Sequence, residues 1–143
     1  MSYRHTQRGT IIIAAFGIII ALILVRTTLR GDIEVGEVVS VLFLLLMIWL
    51  FRSLTVVVRD GGLTCFFGPG MIRKRIALAD IREAQAVHNP WIAGWGIRWM
   101  PSRYWLWNVS GRDAVELTLA NGNKFRIGTD EPEKLVEAIQ SKI

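Results

Sequence analysis

The sequence contains one cysteine, Cys65. A single thiol closes no internal disulfide, so a disulfide-stapled scaffold is excluded. Its setting, Leu63-Thr64-Cys65-Phe66-Phe67, reads as a strand in which cysteine serves as a small core residue. Histidine is nearly absent: His5 and His88 are far apart and have no metal-ligand spacing with Cys65. There is no phosphate-binding P-loop, no G-x-G-x-x-G after a strand and no G-x-S-x-G nucleophile elbow. Asp130, Glu131 and Glu133 form a carboxylate cluster, but at the start of a helix, where capping and the helix dipole account for them. The expectation is a non-enzymatic chain with no cofactor and no metal. The net charge is +5 and the pI about 10. No nucleic-acid-binding motif accompanies that charge, so no nucleic-acid partner is expected.

Long hydrophobic runs are what the sequence does have. Of 143 residues, 52% are hydrophobic, and the excess sits near the N-terminus. Ile11 to Val25 carries no charge, and Gly9 to Leu29 meets the roughly 20 residues needed to span a bilayer. A second run, Val38 to Phe51, is shorter and gains length from Ile33 and Val35. It is apolar on every face, which disfavours a half-buried core helix. Arg4 and Arg8 could serve as the basic region of a secretory signal, but no small-x-small cleavage site follows Val25. The chain therefore divides into an N-terminal transmembrane hairpin, 1–53, with helices at about 9–29 and 35–52, and a domain, 54–143. The linker Gly31 to Glu37 is short, so the helices run antiparallel. Arg4, Arg8, Arg52 and Arg59 flank one side, and Arg26 and Arg30 the other. This bias puts both termini and the domain in the cytoplasm of a bacterial inner membrane.

Beyond residue 54 the pattern changes to short runs between turn signals. Strands are expected at 54–59, 63–67, 71–78, 80–87, 104–109, 114–119 and 124–127. Asp60-Gly61-Gly62 and Asn121-Gly122 mark hairpin turns. Asn89 to about Arg103 reads as irregular. A C-terminal helix follows, capped by Asp130 with Glu133 in capping-box spacing and with Pro132 in its first turn. It carries an apolar stripe of Leu135, Val136, Ile139 and Ile143.

This α+β plan, a two-helix membrane hairpin and then an antiparallel barrel or sandwich of about seven strands closed by a helix, resembles bacterial pleckstrin-homology-like (PH-like) proteins. The resemblance is carried by Val56-Val57-Val58, Phe67-Gly68-Pro69-Gly70, Ile76-Ala77-Leu78-Ala79-Asp80-Ile81, Gly94-Trp95-Gly96-Ile97-Arg98, Asn108-Val109-Ser110-Gly111 and Ile127-Gly128-Thr129-Asp130-Glu131-Pro132. It implies a non-enzymatic module that binds partners, oligomerises or assembles membrane complexes.

Two stretches are candidate contact sites. Trp91 to Trp107 holds five of the six tryptophans, with arginines interleaved. Trp91, Trp95, Trp99 and Trp105, with Arg98 and Arg103, suit a membrane interface or a protein contact, while tryptophans of this stretch can equally fill the core. Arg73-Lys74-Arg75 is a basic cluster on an early strand, fitted to attract anionic headgroups or to be a solvated strand face. The leading expectation is an accessory or assembly component of a larger membrane complex, contacting lipids and other membrane subunits or a second copy of itself. The alternative is binding of an anionic lipid headgroup or small anion through Arg73, Lys74, Arg75, Arg98 and Arg103. Asn108-Val109-Ser110 matches a glycosylation sequon, but its place in a strand argues against use.

Overall fold

The computed structural model describes residues 2–101 and 104–143. Helix α1, Thr10–Arg30, and helix α2, Val35–Phe51, form the hairpin. Long apolar runs, Ile11 to Val25 and Val41 to Phe51, make the body of both helices. Gly31, in the left-handed region at φ 85°, ends the first, its N–H donating to the Thr27 carbonyl. A reciprocal capping box between Glu34 and Glu37 starts the second. The side chains of Ile18, Leu22, Leu29, Val35, Val39 and Leu42 are exposed along the pair. α1 is long and apolar enough to cross a membrane. α2, at 17 residues, is about 25 Å long, a few ångströms short of a typical hydrocarbon core.

Among the described residues there are nine strands in two sheets. The first sheet has the order β1-β2-β3-β4, built from Tyr3–Arg8, Ser53–Arg59, Gly62–Phe67 and Ile72–Ala77. The second has the order β5-β8-β9-β7-β6. Its strands are β5 (Ile81–His88), β6 (Gly96–Met100), β7 (Tyr104–Asn108), β8 (Asp113–Leu119) and β9 (Lys124–Gly128). Two strands exceed the expected seven. β1 pairs antiparallel with β2 from Tyr3↔Val58 to Arg8↔Ser53, so the residues ahead of the hairpin belong to the same sheet as those after it. The hairpin is thus spliced into the sheet between two neighbouring strands. β6 lies inside the stretch expected to be irregular and pairs with β7.

Of the expected antiparallel barrel or sandwich, the barrel and the uniform antiparallel pairing are corrected. β7 runs parallel to β9, because the chain reverses between β7 and β8 and again between β8 and β9, and β9 then lies between the two. The sheets also remain two separate sheets and close no barrel. Their inner faces share one core that includes Leu54, Val56, Phe67, Leu117, Phe125 and Ile127. Helix α3, Pro132–Gln140, packs on β5 and β8 and sends Leu135 and Ile139 into that core, as its stripe requires.

The expected cap of α3 is replaced by tertiary contacts. Glu131 stands at the N-cap, and no side chain caps the helix. Asp130 and Glu131 instead bind β1: Tyr3 Oη donates to Glu131 Oε1 at 2.7 Å, and His5 bridges both carboxylates. The Tyr3 hydrogen bond holds the Glu131 carboxyl below its usual range against the opposing effect of partial burial. The helix N-terminus is thereby used to tie down the strand that enters the hairpin.

At the hairpin junction the chain is crowded. Gly9 N–H donates to the Arg52 carbonyl at 2.7 Å, and Gly68 N–H to the Ser53 carbonyl at 2.9 Å. A Cβ on Gly68 would lie 2.6 Å from the Leu50 carbonyl oxygen, and the residue sits at φ 46°. Glycine is required there both for space and for backbone. An aromatic line continues inward from the junction. Phe51 on α2 meets Phe67 at 4.9 Å, Phe67 meets Trp107 at 5.0 Å, and Trp107 meets Phe125 at 5.7 Å.

Candidate functional site

The tryptophans of the Trp91 to Trp107 stretch divide by strand geometry. Side chains alternate faces along β7, so Trp105 and Trp107 share the inner face and Tyr104 and Leu106 the outer one. Trp107 is buried in the core against Phe67 and Phe125, whereas Trp105 is exposed. Trp99, opposite Trp105 on β6, packs against it with ring centres 5.2 Å apart and planes tilted by 54°, and is also exposed. Trp95 is half-buried, and its Nε1–H donates to the Gly111 carbonyl at 2.9 Å. Trp91 and Ile92 stand on a single helical turn, Trp91–Ala93, and are 73% and 66% exposed. Solvation alone does not favour two such neighbours pointing outward.

Trp91 and Ile92 form one wall of an apolar groove of about 500 Å³. Ile11 and Ala15 of α1 and Met47 of α2 line it from the hairpin, and Arg98 lines it as well. Gly94, at φ 67°, is packed against the Arg98 guanidinium, so a side chain there would displace it. The groove thus lies where the hairpin enters the domain. Of the expected contact residues it gathers Trp91, Trp95 and Arg98, and it leaves Trp99 and Trp105 on a separate exposed patch. Arg103 lies outside the described residues.

The basic run on β4 is not a cluster. Strand alternation sends Arg73 and Arg75 outward and Lys74 inward. Lys74 Nζ sits 4.5 Å from the centre of the Phe125 ring, covering the edge of the core. Arg73 folds back, its Nε–H donating to the Gly70 carbonyl at 2.9 Å, with its guanidinium over Phe66. Arg75 alone of the three remains extended over the sheet, beside Gly62.

A polar network was not legible in the sequence. Glu116, 3% exposed, accepts from Arg126 Nε at 2.7 Å and from Gln85 Nε2 at 3.3 Å, with Lys124 Nζ 3.3 Å away. Arg126 also donates to Asn89 Oδ1 at 3.0 Å and stacks 3.9 Å from the centre of the Tyr104 ring. Burial alone would raise the Glu116 carboxyl, but the Arg126 guanidinium outweighs it and holds the group below its usual range. Glu116 finds its partners within the protein, while the buried Asn89 Nδ2 has none among the described residues; the ion pair at its centre reads as structural. The Cys65 thiol is wholly buried, and burial pushes its pKa up to about 12, so it stays a protonated core residue. Asn108 is buried with its Nδ2 donating to the Gly111 carbonyl, which leaves the sequon inaccessible.

No protein-family model matches this chain, and no match is found among curated proteins.

Proposed function

We propose that this chain is a membrane-anchored, non-enzymatic interaction module, with a PH-like domain, that serves as an accessory or assembly component of a larger bacterial inner-membrane complex. One observation carries the reading: the apolar groove lined by Trp91 and Ile92 from the domain and by Ile11, Ala15 and Met47 from the hairpin. Its walls come from the domain and from the hairpin together, so what fills it must be apolar and lie alongside the helices. A transmembrane helix of a partner subunit meets both conditions. The shortness of α2 supports the same occupant, since a short helix gains cover from a neighbour. The PH-like assignment draws support from two stacked sheets and a C-terminal helix laid across β5 and β8. The parallel β7–β9 pair and the added β1 depart from the simplest form of that plan. The arginine count at the helix ends supports a cytoplasmic domain.

Purification from membranes in mild detergent, with a photo-crosslinking residue at Ile92, tests the reading. The expected result is one membrane subunit that co-purifies stoichiometrically, crosslinks through an apolar segment and is lost in the Trp91→Ala/Ile92→Ala variant. A companion-free monomer whose Ile92 crosslinks reach only lipid would contradict it.

A further inference from the structure

The outer face of the first sheet carries positive charge that the described residues neutralise only in part. Register aligns Arg4, Val57, Thr64 and Arg75 in one row across β1, β2, β3 and β4. Arg59, two residues beyond Val57, points from the same face and is paired with Gly62. Arg4, Arg59 and Arg75 are all exposed, and none makes an ion pair among the described residues. Together they border a concavity of about 310 Å³. Its floor is shallow because Val57 and Thr64 are small and Gly62 has no side chain. A Cβ on Gly62 would lie 3.3 Å from Arg75 Nε, so the glycine lets that guanidinium lie down across the strand. Asp60 also lines the concavity from the β2–β3 turn. Its carboxylate is fully exposed, with Lys142 Nζ 3.9 Å away, so it offsets only part of the charge.

Three guanidiniums around a shallow, open floor suit a ligand with several oxygens on one centre. Each guanidinium offers a planar fork of donors that matches two oxygens of a phosphate. Three positive charges against one carboxylate favour a doubly charged anion. We propose that Arg4, Arg59 and Arg75 form a binding site for a phosphate group, with Thr64 in its floor. The site is separate from the Trp91 groove and uses Arg4 and Arg59, which sequence spacing did not connect with β4. It exists because β1 joins the sheet and brings Arg4 opposite Val57.

The phosphate can belong to a soluble compound or to a lipid headgroup. Arg4 lies four residues before Arg8, at about 3.4 Å per residue, so the site is about 14 Å along the strand from the hairpin entry. The full chain in phosphatidylcholine nanodiscs, titrated with pyrophosphate by calorimetry, tests the soluble source. Nanodiscs containing phosphatidic acid, assayed for lipid retained through purification, test the headgroup. Binding in either arm, weakened about tenfold or more by Arg4→Gln/Arg75→Gln and by Thr64→Glu, is the expected result. Arg112→Gln, a charge loss elsewhere, should leave it unchanged. An unaltered unfolding midpoint shows that the variants fold. Absence of binding in both arms, or binding that the folded variants retain, would overturn the proposal.

Discussion

Phe67→Ala is expected to destabilise the protein by about 4 kcal/mol, in the range for deleting a fully buried aromatic side chain. Phe67 is 1% exposed and lies between Phe51 of α2 and Trp107 of β7. Its loss opens a cavity between the sheets and removes the ring that joins the hairpin to the core. Phe66, the next residue, faces outward beneath Arg73 and is half-buried. Phe66→Ala should cost far less, about 1 kcal/mol, because it leaves no enclosed void. Urea unfolding in detergent, followed by tryptophan fluorescence, measures both. Equal losses at the two positions would contradict the facing assigned to β3.

Glu116→Gln should cost about 3 kcal/mol, near the lower end for breaking a buried ion pair. The variant keeps the shape but leaves Arg126 without the anion it contacts at 2.7 Å. The access of Lys124 to water sets the lower end, since that part of the network is open. Replacing both partners, as in Glu116→Leu/Arg126→Met, should recover much of the loss, because no charge is then stranded. The folded carboxyl lies below its usual range, so its contribution is present above the unfolded value and is lost as pH falls through the folded one. Unfolding midpoints of the native chain should therefore fall on acidification, and Glu116→Gln should reduce that slope. A slope identical in the two proteins would show that Glu116 is not the group responsible.

The parts of the fold that sequence reveals are those whose pattern is local. The helices expected at about 9–29 and 35–52 occur at Thr10–Arg30 and Val35–Phe51, because a long apolar run needs no partner to be read. Asn121-Gly122 and the alternation of Val115, Leu117 and Leu119 place β8 and β9 for the same reason. β1 has no such pattern. Tyr3, His5 and Gln7 face inward and find their partners in Glu131, Asp130 and the Ser110 carbonyl, all more than 100 residues away. β6 is punctuated by Gly94, Gly96 and Pro101, which read as a loop until β7 pairs with it. The parallel β7–β9 pairing leaves no local mark at all.

The same distinction holds for the contact residues. The exposure of Trp91, Trp99 and Trp105 and the half-burial of Trp95 depend on which neighbours the tertiary fold brings over each of them, information absent from spacing. The splitting of Arg73-Lys74-Arg75 was available, since a period of two places Lys74 opposite its neighbours. The grouping of Arg4 with Arg59 and Arg75 was not, because it requires the register of an unrecognised strand.

The central proposal is that the hairpin spliced into the β domain crosses a membrane and leaves that domain in the cytoplasm, and site-directed thiol labelling tests it most directly. Cys65 is buried and protonated, so the native chain supplies an unreactive background. Ile33→Cys places a thiol on the exposed linker between α1 and α2, and Ala79→Cys places one on an exposed turn of the domain. With a membrane-impermeant maleimide on spheroplasts, Ile33→Cys should label from outside and Ala79→Cys only after permeabilisation. Labelling of both only after permeabilisation, or of Ala79→Cys from outside, would contradict the account.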